Sequence, residues 1–146
     1  MASDSMRQSA RCTARKAGWN LVAPLAGITE KGYATAGVGI AARSHFGAHG
    51  GSESSQWEGT VDYDATRIVH SHIGICCKGG IHCFSIYLHT VEGLTTRNCE
   101  ILRALGRMTA AIRGPWIAMG DWNMAPEVLI QSGFIDELRG EVVHTR

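Results

Sequence analysis

Residues 81–123 read IHCFSIYLHTVEGLTTRNCEILRALGRMTAAIRGPWIAMGDWN, and the fold class turns on this stretch. Ile81, Cys83, Ser85 and Tyr87 alternate with His82, Phe84, Ile86 and Leu88, so a strand here carries apolar bulk on both faces and belongs inside a sheet. Thr95 offers an N-cap with Glu100 close behind, and Ile101, Leu105, Met108 and Ile112 follow at helical spacing. Gly114-Pro115 ends that helix, and Trp116–Met119 reads as a short buried strand running into Gly120-Asp121-Trp122-Asn123. A strand–helix–strand crossover of this length makes the two strands parallel neighbours. It brings Tyr87 and Asp121 to their carboxyl ends, where open α/β sheets bind ligands.

Upstream, Thr66–Cys77 and Ile81–Leu88 are β-rich runs separated by Lys78-Gly79-Gly80, which predicts an antiparallel hairpin. Leu21–Ala23 and the small-residue run Ala36–Ala42 read as further strands. His45–Gln56 holds three glycines and three serines with few large apolar groups, which predicts a mobile loop. Met6, Ala10, Ala14 and Ala17 sit at helical spacing ahead of Gly18, so residues 1–17 form a frayed helical segment and 18–146 the main domain. Downstream, Pro126 opens a short helix that stops near Gly133.

Composition excludes several function classes. The chain has 146 residues, 45% of them apolar, as expected of one globular core. Lys and Arg total 14 against 13 Asp and Glu, a net charge of +1, so any polyanion contact must be local rather than a whole-surface effect. No apolar run approaches the roughly 20 residues of a membrane span, and the start lacks a signal-peptide core, which predicts a soluble intracellular chain. The cysteines at 12, 76, 77, 83 and 99 are odd in number and lack CxxC spacing, so reduced thiols are expected.

Asp121 and Asn123 are the candidate reactive pair. A carboxylate beside Gly120 can hold a hard cation or orient a water, and the amide two residues on can donate to a phosphate oxygen. The plain structural alternative is an Asx turn in which both only satisfy local backbone. Trp122 can stack on a base or pack, whereas Trp116 reads as core. His70, His72 and His89 read as hydrogen-bonded strand residues, with only His89 near the pair. Cys76-Cys77 and His82-Cys83 read as buried thiols rather than a zinc set, because neighbours on a strand point to opposite faces. Arg43, Arg67 and Lys78 are cations able to meet a phosphate backbone or remain solvated.

Gly120-Asp121-Trp122-Asn123, preceded by Pro115–Met119, resembles the Gly-Asp-aromatic-Asn signature of the endonuclease/exonuclease/phosphatase family. Gly37–Arg43 is similar to that family's glycine-valine strand with its basic end, and Ile86-Tyr87-Leu88 to its tyrosine strand. The resemblance spans about Gly18–Gly140 and is nearest to the retroelement-type endonucleases. It implies a partial two-sheet α/β sandwich and Mg²⁺-dependent phosphodiester hydrolysis, with DNA as substrate and partner and a nuclear location allowed. Asp121 would orient or activate the attacking water, and through that water reach the metal; Asn123 would position the phosphate, and Tyr87 contact it. Trp122, His89 and Arg43 are the candidate substrate-binding residues. His89-Thr90 departs from the Pro-Asn pair of many relatives. The family's early asparagine and metal-binding glutamate have no counterpart before Gly18. Its late Asp-His pair has none either, since His144 lacks an adjacent Asp. An impaired fragment is therefore expected, with two alternatives: a non-catalytic remnant acting as a binding module, and a thiol-based redox or metal module.

Overall fold

A computed structural model describes residues 2–24, 27–28, 34–35, 37–50, 66–75 and 77–143. Ala36, Cys76, His144 and residues 51–56 of the expected loop lie outside them. The elements are α1 (Ala2–Lys16), β1 (Trp19–Val22), β2 (Gly27–Ile28), β3 (Ala34–Thr35), β4 (Ile40–Arg43), β5 (Ala48–Gly50), β6 (Ile68–Ile73), β7 (Ile81–Tyr87), α2 (Thr96–Ala111), β8 (Trp116–Asp121), α3 (Pro126–Gln131) and α4 (Phe134–Glu137). Helices and mixed sheets make this an α/β fold.

The main sheet runs β5-β6-β7-β8. β6 and β7 pair antiparallel, from Ile68 opposite Ile86 to Ile73 opposite Ile81, and β7 pairs parallel with β8 across the α2 crossover. The hairpin is wider than the sequence suggested. Residues 74–80 separate the paired ends, and Gly79 and Gly80 both take positive φ there.

β7 is the central strand its two-faced apolar pattern requires. Phe84, Ile86 and Leu88 meet Ile101, Leu102, Leu105 and Met108 of α2, together with Ile68 and Leu129. On the other face, Val69 and Cys83 pack with Val22 of β1 and Ile40 of β4, which form an antiparallel ribbon of their own. The sheet thus lies between a helical layer and a two-stranded ribbon, and burial of both faces supplies the main stabilising term.

Three expectations need correction. β8 is an edge strand rather than a buried one: Trp116 packs toward the helical core, but Ile117 and Met119 are 41% and 49% exposed, because no described element covers the ribbon side of β8. The stretch expected as a loop is ordered in its first half. Ser44–Phe46 form a 3-10 turn, and β5 pairs with β6 from Ala48 opposite Ile73 to Gly50 opposite Ser71, with the Ser71 hydroxyl donating to the His49 carbonyl at 3.1 Å. Backbone pairing to an existing sheet edge orders what poor apolar content alone would not. Finally, Cys77 is exposed, with its thiol 3.1 Å from the Gly80 carbonyl, while Cys83 is buried as expected.

Candidate functional site

Parallel register sets Tyr87 beside Asp121 at the carboxyl ends of β7 and β8, and in-register residues point to the same face of a sheet. The backbone beyond them is tied together. The Leu88 amide donates to the Asp121 carbonyl at 3.0 Å, and Asn123 Nδ2 donates to the Leu88 carbonyl at 2.7 Å. Asn123 adopts φ +48°, a left-handed conformation that Asn tolerates better than most residues. Its own amide donates to Asp121 Oδ1 at 3.1 Å, so the Asx turn weighed against a catalytic role is indeed formed. The two are compatible. One carboxylate oxygen closes the turn, and the exposed carboxylate retains a second oxygen able to accept a proton or a water.

Gly120 makes this close approach feasible. At φ +147° it runs against Ile86, and a Cβ there would collide with the Ile86 carbonyl oxygen and lie 2.8 Å from its carbonyl carbon and amide nitrogen. Arg67 joins from β6's leading end. Its carbonyl accepts from the Tyr87 amide at 2.9 Å, its Nη1 donates to the Tyr87 carbonyl at 3.3 Å, and its guanidinium sits 5.0 Å from the Tyr87 ring centroid. The antiparallel register of the hairpin is the signal that could have placed Arg67 here, since it continues the pairing one step past Ile68 opposite Ile86.

Asn98 holds the loop behind the site and carries no motif signal. Fully buried in the first turn of α2, it accepts from the His89 amide at 2.7 Å and donates to the carbonyls of His89 at 3.1 Å and Gly93 at 2.8 Å. The Thr95 hydroxyl donates to Glu92 instead of capping the helix.

The remaining sequence candidates are placed differently. His89 is 8% exposed, so its ring is not presented to a ligand at the surface. Trp122, like Trp116, packs against the helical core. Arg43 stands at the end of β4, its guanidinium 4.5 Å from the Trp19 ring centroid, in the segment that leads to β5 on the opposite edge of the sheet from β8. Asp121 is exposed on an open edge rather than set in a concave floor. A cavity of about 1120 Å³ lies elsewhere, between α2 and residues 132–139.

A cluster of histidines occupies the other end of the same sheet. His49, His72 and His82 are successive cross-strand partners on β5, β6 and β7, and His70 lies diagonal to His82 with Nε2 2.9 Å from its Nδ1. His72 Nε2 donates to the Gly79 carbonyl at 3.0 Å. Burial, then the neighbouring His82 and His72, push His70 down to about 4, and burial with His72 lowers His82. An imidazole whose folded pKa is depressed resists protonation that the unfolded chain accepts near 6.5. Its contribution is complete above that pH and is lost as pH falls toward 4. Urea unfolding at pH 7.5 and pH 4.5 should show stability falling by up to roughly 3 kcal/mol. The same loss in His70→Phe would assign it to other groups.

Compared with known protein families, curated proteins and solved structures, the chain finds no match.

Proposed function

We propose that this chain is a phosphodiesterase-type domain acting on nucleic acid, similar to the retroelement-type endonucleases of the endonuclease/exonuclease/phosphatase family, and that its turnover alone is weak. The observation that carries the proposal is the Tyr87–Asp121 parallel register closed by the Asn123 bond to Leu88, which joins a phenol, a carboxylate and an amide at one sheet edge. Asp121 would accept a proton from an attacking water through its outer oxygen. The Tyr87 hydroxyl and the Asn123 amide would hold the phosphoryl group, with Arg67 adding positive charge beside Tyr87. The β1–β4 ribbon stacked on the main sheet supports a two-sheet sandwich of that family's type.

Mg²⁺ binds hard oxygen ligands, typically one or two carboxylates with waters and substrate phosphate. At this edge the described residues offer one carboxylate, already engaged through one oxygen, and they contain no group of three His, Cys, Asp or Glu suited to a metal ion. They do not fit a resident Mg²⁺ by themselves, which accords with weak turnover.

Incubation with supercoiled plasmid, with and without Mg²⁺, tests the proposal. Slow nicking is expected, reduced at least about tenfold in Asp121→Ala. Nicking that survives the substitution removes Asp121 from the mechanism. A specific observation favours a second reading, a non-catalytic interaction module: no described strand pairs the outer edge of β8, and Ile117 and Met119 are exposed. Absence of nicking by the unsubstituted chain selects that reading.

A further inference from the structure

A helix lying on a domain normally turns its apolar stripe inward. α1 does the reverse. Its half-buried residues include Arg7, Arg11 and Ala14, while Met6 is 65% exposed. The seam between α1, β1 and β5 is consequently a groove of about 510 Å³ lined by Arg11, Arg15, Trp19, Asn20, Ser44 and His49, with the backbone of Gly47 and Gly50, and with no acid among the described lining residues. Arg7, Arg11 and Arg15 recur every four residues, about 6 Å apart along the helix axis, so they form one row. Arg7 at the outer end is paired with Asp4 at 3.0 Å, and Arg11 Nη2 donates to the Ala23 carbonyl at a long 3.4 Å.

We propose that this seam binds the phosphodiester backbone of single-stranded nucleic acid. Guanidinium groups match phosphate oxygens in a bidentate fork, and a row of them can meet successive phosphates of an extended strand. Trp19 distinguishes this surface from a merely basic one. Its indole lines the groove and is steadied by Arg43, 4.5 Å from the ring centroid, which supplies a stacking platform of the kind that holds unpaired bases. Asn20, Ser44 and His49 add further hydrogen-bonding groups. The near-neutral net charge is no obstacle, because Arg11 and Arg15 face the groove and its described lining residues include no acid to offset them. The seam adjoins β5, the first strand of the main sheet, and Asp121 ends β8, the last, so binding does not depend on the hydrolytic proposal.

Fluorescence anisotropy with a labelled single-stranded oligodeoxynucleotide tests the proposal on the full chain, over a series of salt concentrations. Arg11→Ala/Arg15→Ala is expected to weaken binding about tenfold or more and to reduce the salt slope by about 0.7 per lost phosphate contact. Arg15→Glu, at an exposed position, should weaken binding as well without relying on the packing of Arg11. Trp19→Phe should weaken it to a smaller degree. Arg103→Ala/Arg107→Ala removes the same charge from a different groove and is expected to leave affinity within twofold. The proposal is overturned if the oligonucleotide does not bind, if the Arg11/Arg15 and Arg103/Arg107 variants weaken equally, or if the chain binds anionic phospholipid vesicles and not the oligonucleotide.

Discussion

Gly120→Ala is expected to lower the unfolding midpoint by on the order of 10 °C and to abolish any activity that depends on Asp121. Two effects act together. The backbone at φ +147° is a conformation that L side chains rarely adopt, and the new methyl would meet the peptide of Ile86 rather than a side chain able to swing aside. Ile86 belongs to the central strand, buried on both sides, so it cannot retreat without opening the core between β7 and α2. β8, an edge strand with one exposed face, must yield instead. Strain of this kind costs roughly 4 kcal/mol, at the upper end for single substitutions. Because the Tyr87–Asp121 register and the Leu88–Asp121 bond follow directly after Gly120, the loss should appear first at this edge. Hydrogen exchange can check this: the Leu88 amide should lose protection before the amides of β6. A variant with native stability would show that β8 does not approach β7 as closely as described.

Asn98→Asp should be nearly as damaging, at roughly 4 kcal/mol near pH 7, although it alters only one functional group. The wild-type amide, fully buried in the first turn of α2, accepts one bond and donates two. A carboxylate can still accept from the His89 amide. It cannot donate to the carbonyls of His89 and Gly93, and it would place an unpaired charge where water does not reach. The negative charge near the amino end of α2 recovers only a fraction of that, about 0.3–1 kcal/mol. Asn98→Ala removes the charge problem but strands two buried backbone groups of His89 and the half-buried Gly93 carbonyl, so a smaller loss of roughly 2–3 kcal/mol is expected. Chemical denaturation of both variants separates these terms, and equal destabilisation would argue against a charge penalty. The consequence reaches the site because residues 88 and 89 are contiguous. Loosening His89 frees the Leu88 carbonyl that anchors Asn123.

How much was legible in advance depended on the range of the interactions involved. The strand–helix–strand unit could be read because alternation in Ile81–Leu88 and helical spacing from Ile101 to Met108 are local, and both patterns survive as observed. The adjacency of Tyr87 and Asp121 followed from crossover geometry alone. The exposure of β8 was hidden, since Trp116–Met119 looks equally apolar whether an element covers one face or both. Arg67 looked like any surface cation until the hairpin register set it against Tyr87. Asn98 was hidden inside an ordinary helical sequence, because its partners lie in the preceding loop.

The amino-acid sequence by itself determined the α/β class, the central position of β7 and the meeting of Tyr87 with Asp121, because periodicity and handed crossovers are properties of neighbouring residues along the chain. Only the tertiary structure decided that β8 is an edge, that His49, His72 and His82 align across three strands, and that α1 turns arginines toward the body of the protein. Those features arise from surfaces brought together from distant segments, whose burial and charge no local pattern encodes.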